Sequence, residues 1–190
     1  KIPAGYFEKN IMISELKDHL MKKYNWPINK EGSNEYISNF SNNNLYLNHQ
    51  FILDNLNVSI EEIQKECANF LLQYKWVKNT YTASQLHENE YSNSFHSLIQ
   101  KGFNQKKSGD VIVSLQSGWL SVNWRNGGTT HGSCYSYDTH VPLIFWGGKI
   151  PKGTTDRKVY IRDIAPTIST ILGISHPNGC TGNPIPEITQ

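Results

Sequence analysis

The chain has 190 residues, 37% hydrophobic and 12% aromatic, with ten tyrosines and five tryptophans. That length can bury a core, on the order of 70% of the unfolded surface, and fits one domain or one and a half. A formal charge of +2 on scattered lysines excludes the basic tract of a nucleic-acid binder, and neither an apolar run of membrane length nor a lipidation motif is present.

The chain opens at Lys1 with no methionine and no signal-like apolar run, as expected of a processed or excised segment, so this terminus gives no localisation. Residues 11–24 predict a helix: Ile13, Leu16, Leu20 and Met21 recur on one face, with Ser14 as N-cap and Trp26-Pro27 as the stop. His19 falls among charges and reads as surface. Residues 36–40 and 45–47 predict a β-hairpin about the polar turn 41–44, and His49 after it reads as structural or exposed. Residues 59–77 give the strongest helical pattern. Ser59 and Glu62 form a capping box, and Ile60, Ile63, Cys67, Phe70, Leu71 and Tyr74 make a broad apolar face. Residues 80–82 predict a short strand and residues 94–101 a helix ending at Gly102. His87 and His96 accompany that helix without ligand spacing. Residues 110–115 (DVIVSL) predict a buried strand from their β-branched run, closed by Gly118-Trp119-Leu120. Asp163 is expected to cap a last helix, with Pro166 in its first turn, Ile164, Ile168, Ile171 and Leu172 as its inner stripe, and Gly173 as its end. A Pro/Gly-rich tail follows over 177–186, and no repeat or low-complexity linker divides the chain.

The cysteines are odd in number. Cys67 reads as a buried hydrophobe, while Cys134 and Cys180 lie in loop patterns where a bridge is open but not implied.

The organising stretch is 128–147, GTTHGSCYSYDTHVPLIFWG. Its glycines and serines mark a loop, and Val141, Leu143, Ile144, Phe145 and Trp146 then predict a short buried strand. His131 and His140 are nine positions apart, which matches no standard zinc spacing. Spacing alone leaves metal ligation and loop hydrogen bonding both open.

The run THGSCYSYDTHVPL resembles the last metal-ligand motif of the alkaline phosphatase superfamily, in particular that of the monomeric, phosphate-irrepressible enzymes of Bacteroidetes-type bacteria. The histidine before Gly-Ser is a zinc ligand there, which points to His131. The Asp-x-His-Val-Pro that follows is carried by Asp138, His140, Val141 and Pro142, and Cys134 stands where the family usually has proline. Residues 161–173 resemble the family's closing helix.

The resemblance implies a C-terminal portion of a zinc-dependent phosphomonoesterase. Its fold would be α/β overall and α+β in this portion: part of a three-layer α/β/α sandwich over 108–190, with an inserted lobe over 24–107. The threonine nucleophile and the other ligands of a two-zinc site would precede Lys1. The chain alone would then be inactive, and the strands over 110–115 and 141–146 would be edges exposing apolar surface. Asp138 is the candidate partner for the free nitrogen of the His131 ring, or the residue that holds the loop. His140 is expected to pack against the strand or make a backbone hydrogen bond rather than ligate, and it stands with Asp138 as a candidate support behind the ligand. The implied substrate is a small phosphate ester, the implied partner the preceding half of the same protein, and the implied location periplasmic or secreted. Phosphodiesterases, nucleotide pyrophosphatases, sulfatases and phosphoglycerate mutases share the ligand pattern, and a non-catalytic partner- or glycan-binding domain is the reading from another class.

Overall fold

The computed structural model describes residues 3–25, 36–92, 94–124, 126, 130–148 and 150–189. The chain divides into two compact units, Lys1–His140 and Val141–Gln190.

The first unit opens with strand β1 (Gly5–Phe7) and helix α1 (Lys9–Lys23). The helix begins earlier than expected: Glu8 is the N-cap and contributes no side-chain bond, so Ser14 lies inside the helix. Its fully buried stripe is Met12, Leu16 and Leu20, with Ile13 and Met21 flanking it. His19 is less exposed than a surface histidine. Its Nε2 lies 2.5 Å from Glu66 Oε1, and its ring packs 4.7 Å from that of Phe70. The expected Trp26-Pro27 stop falls outside the described residues.

Strands β2 (Ile37–Ser41) and β3 (Asn44–Leu47) form the expected hairpin. Asn42 and Asn43 take φ of 48° and 59°. A two-residue turn needs positive φ at both central positions to match strand twist, and asparagine reaches that region at low cost. Helix α2 (His49–Asn55) follows at once, with Asn48 Oδ1 accepting from Phe51 N at 3.0 Å. The sequence pattern did not reveal this helix.

Helix α3 (Ile60–Leu71) has Ser59 as N-cap, its hydroxyl accepting from Glu62 N at 3.1 Å. It stops short of the expected residue 77, because the chain must reverse into strand β4 (Val77–Thr82). Ile63, Cys67 and Leu71 are completely buried along one face, and each such side chain stabilises by about 1.5–3 kcal/mol relative to exposure. Helices α4 (Ala83–Glu88) and α5 (Ser94–Gly102) follow, the first unexpected and the second as predicted. His87 is exposed on α4, and His96 Nδ1 lies 2.9 Å from the Tyr81 hydroxyl.

Strand β5 (Val111–Leu115) completes an antiparallel sheet of order β2-β3-β5-β4. It is therefore an interior strand, not the expected edge. It pairs with two strands of the 24–107 segment, so the sheet crosses position 107/108. Strand β6 (Trp119–Ser121) pairs in parallel with β1. Neither strand was expected. Phe7 joins this pair to the core by stacking on Trp76 at 4.4 Å. Parallel ladders persist in proteins where both faces are covered and further strands extend the sheet, so a lone parallel pair has the form of a piece of a larger sheet.

In the second unit, residues 141–146 form no strand. Val141 is 64% exposed, Ile144 82% and Trp146 94%. A strand requires a ladder partner, and among the described residues of the unit none pairs with this segment. Helix α7 (Ile164–Leu172) is present, but its expected inner stripe is reversed. Ile168, Ile171 and Leu172 are exposed, while Pro166, Thr167 and Ser169 are buried. The buried face meets the tail: Thr167 Oγ1 accepts from Ile185 N at 2.9 Å and donates to Asp163 O at 2.6 Å. Asp163 gives no side-chain cap to α7. Its carboxylate accepts from Tyr160 N at 2.9 Å and Asn183 N at 3.0 Å instead. A Cβ at Gly182 would stand 2.0 Å from Arg162 O, so only glycine permits this approach. Gly173 ends α7 as expected, with φ 65°, Ile174 N donating to Ser169 O and Gly173 N to Thr170 O. That is the paired bonding of a left-handed glycine stop. Helix α8 (Pro186–Thr189) closes the unit, tied by Arg157 to Glu187 through two bonds of 2.8 and 2.6 Å.

The three cysteines are free, with Cys67 buried and Cys134 and Cys180 half-buried. Among the described residues no helix is long and apolar enough to cross a membrane.

Candidate functional site

The candidate loop runs from Thr130 through helix α6 (Ser136–Thr139), a short helix not expected from sequence. Two side chains fix it. Tyr135 donates its hydroxyl to Leu115 O at 3.1 Å, pinning the loop to the end of β5, and its carbonyl accepts from Asp138 N at 2.9 Å and Thr139 N at 3.0 Å. Asp138 Oδ2 accepts from Ser133 N at 2.9 Å, closing the turn two residues beyond His131. Bonds from the Ser133 side chain and backbone hold the Asp138 carboxyl below the usual carboxylate range. Burial opposes this weakly, and nearby His131 adds a smaller push the same way.

His131 is exposed at the mouth of the turn. His140 is also exposed. Its backbone N–H donates to Ser136 O at 2.8 Å, but its ring does not pack on a strand, because residues 141–146 form none. Gly127 and Gly128, at the head of the loop, lie outside the described residues.

Loop and sheet enclose a groove of about 1080 Å³. His131, Tyr135, Tyr137 and Asp138 line one side, and the hairpin tip Asn42-Asn43 contributes to the other. The two tyrosines were within the recognised motif, but nothing in their spacing assigned them a role; Asn42 and Asn43 read only as turn residues. Cys134 also faces the groove. Burial pushes its thiol up.

A catalytic zinc takes three or more protein ligands. Among the described residues no three of His, Cys, Asp and Glu come together to hold one. His131 offers one imidazole of the kind such a site uses.

The described residues thus form a mixed α/β chain with one parallel strand pair, and apolar side chains stay exposed over 141–146 and on α7. In sequence and fold the chain is similar over nearly its whole length to alkaline phosphatases of the PafA kind. Alkaline phosphatase PafA of Elizabethkingia meningoseptica is 29% identical over 188 residues, which are 99% of this chain and 33% of the relative. A protein of Myroides odoratus named calcium-transporting ATPase is 32% identical over 187 residues, again 33% of the relative. Alkaline phosphatase PhoV of Synechococcus elongatus is 30% identical over 129 residues, 68% of this chain. The crystal structure of wild-type PafA superposes with a TM-score of 0.83 at 28% identity, covering 99% of this chain and 34% of that one. The chain thus spans about one third of the length of PafA and of the Myroides odoratus protein, and its match to PhoV spans 23% of that relative. No family model matches it.

Proposed function

We propose that this chain is the C-terminal third of a zinc-dependent phosphomonoesterase, to which it contributes one metal ligand, His131, and not the nucleophile. The observation that supports this most is the match along 99% of the chain to a solved alkaline phosphatase. Two features are consistent with it: the β1–β6 pair has the form of a sheet fragment, and the apolar side chains of 141–146 and α7 lack cover within their own unit. On this reading the preceding segment of the same protein is the partner, and it holds the threonine nucleophile and the other ligands. The 24–107 segment together with β5 forms the inserted lobe, and the protein works in the periplasm or outside the cell.

Bound zinc supplies a Lewis acid for the phosphoryl oxygens and lowers the pKa of a coordinated hydroxyl. This chain presents the His131 imidazole, and Asp138 positions it through Ser133. His140, exposed beside them, is open to the preceding segment.

The test is hydrolysis of p-nitrophenyl phosphate at alkaline pH by the protein with its preceding segment. His131→Ala in that protein should lose one of two zinc ions and most turnover, since the remaining ligands cannot close the coordination sphere. The 190-residue chain alone should be silent with or without zinc. Turnover by the isolated chain above its own His131→Ala control, or full zinc content in the longer variant, overturns the proposal.

A further inference from the structure

We propose that Tyr135 is a positioning residue for the candidate ligand: by bonding the loop to an interior strand, it sets how tightly the His131 imidazole holds its metal. This rests on the reading of His131 as a zinc ligand.

The anchor is a particular place on the sheet. Strand β3 pairs with β5 at Val111 and Ile112, and Asn43 O accepts from Val113 N at 2.8 Å. The hairpin turns there, so β3 reaches no further along β5. Alternate residues of a strand direct their backbone groups to the same neighbour, and the Leu115 carbonyl therefore faces the same side as the Val113 N–H. Gln116 N, across the same planar peptide, points the other way and donates to Trp76 O at 2.8 Å. The Leu115 carbonyl accepts from the Tyr135 hydroxyl at 3.1 Å. A side chain thus continues the ladder where β3 has given out, and it satisfies a backbone acceptor that a strand needs to pair.

Tyr135 is also the junction of the loop itself. The edge of Phe95 meets its ring at 5.5 Å and 61°. Its carbonyl accepts from Asp138 N at 2.9 Å, Thr139 N at 3.0 Å and Thr139 Oγ1 at 3.2 Å, which seats α6 on it. That helix carries Asp138, whose Oδ2 accepts from Ser133 N at 2.9 Å. Between Ser133 and His131 stands only Gly132, at φ 108°. A continuous run of bonds therefore leads from β5 through Tyr135, α6 and Asp138 to the backbone beside His131, and all of it lies inside the first unit. A ligand already held in place loses less freedom on binding. Groups that orient a metal ligand are worth about 10–100-fold in metal affinity, and Tyr135, acting through the loop, belongs at the lower end.

The experiment uses the protein with its preceding segment, comparing wild type, Tyr135→Phe, His131→Ala and the double variant. Tyr135→Phe removes one oxygen atom and keeps the ring. Tyr46→Phe is the control, since it removes a hydroxyl bonded to Lys107 O at 3.3 Å, away from the loop. Zinc affinity is measured by chelator competition, beside the melting temperature of the zinc-free protein and turnover of p-nitrophenyl phosphate at limiting and excess zinc. Tyr135→Phe should lose about tenfold in zinc affinity, with turnover falling at limiting zinc and returning in excess. Tyr46→Phe should keep wild-type affinity, and the two variants should melt alike. In the His131→Ala background Tyr135→Phe should add no further loss, because the two act on one contact. Affinity within twofold of wild type in Tyr135→Phe overturns the positioning role and leaves the His131 reading standing. An equal loss in Tyr46→Phe, or the same loss with and without His131, also overturns it, since either marks general loosening. Full zinc content in His131→Ala overturns the ligand reading, and the positioning role with it.

Discussion

The carboxylate of Asp110 and the imidazole of His49 meet at 2.6 Å, at the wall of a second, polar cavity of about 650 Å³. The same buried carboxylate accepts from Gln64 Nε2 at 2.9 Å and from Leu47 N at 2.8 Å. One side chain thus binds the end of β3, the start of α2, the middle of α3 and the approach to β5. Asp110→Ala takes the acceptor away from the Leu47 N–H and from the Gln64 Nε2–H, and each donor left unpaired costs about 1–3 kcal/mol. The variant should lose about 3 kcal/mol in urea denaturation, seen as a lower midpoint at unchanged slope. A loss below about 0.5 kcal/mol, the range of an ordinary surface change, would show that this network is dispensable.

Asp163 gives the second unit a defined acid response. Backbone hydrogen bonds, first from Tyr160 and then from Asn183, hold its carboxyl below the usual range, with burial opposing and Arg162 and Arg157 assisting. A depressed folded value means stability that is fully present above the unfolded value of about 3.9 and is lost as pH falls through the folded one. Exchange protection of the Asn183 and Tyr160 amides should therefore hold through pH 5 and fail only below the ordinary aspartate range. Loss of protection near pH 6 in the wild type, or an unchanged profile in Asp163→Asn, contradicts this origin.

His140 and His131 should separate cleanly. The sequence reading expected His140 to pack, which would make His140→Gln destabilising. Its exposed ring now predicts a change within about 0.5 kcal/mol, with zinc content kept. His131→Ala should also leave the melting temperature in place, because that ring is exposed too, but it should lower zinc content in the longer protein. Thermal melts beside metal analysis check both; a large drop in melting temperature for His140→Gln would restore the packing role.

The outer face of α7 makes opposite predictions in two contexts. Ile168, Ile171 and Leu172 are uncovered here, and apolar patches of that kind drive association. In the isolated chain, Leu172→Lys should reduce dye binding and self-association without lowering stability. In the protein with its preceding segment, where that face is proposed to be covered, the same change buries an unpaired charge and should cost several kcal/mol. Equal tolerance in both contexts would show that nothing covers α7.

Local signals in the sequence were sufficient wherever the cause of a structure lies within a few residues. Asn42-Asn43 can adopt the left-handed turn that joins β2 to β3, Ser59 caps α3, the Val-Ile-Val run makes β5, and Gly173 takes the positive φ that ends α7. His131 was singled out by a long motif and not by its spacing to His140, and its role as a ligand belongs to the proposal. The tertiary structure alone decided everything that depends on a distant partner. β1 became a strand by meeting β6, far along the chain. β5 took an interior place because β3 and β4 flank it, and Asp110 became a hub through three separate elements. Residues 141–146 and the isoleucine stripe of α7 carry strong apolar patterns, yet they stay uncovered. An apolar pattern states what a segment would bury, and burial itself requires a second surface, which the rest of this unit does not supply.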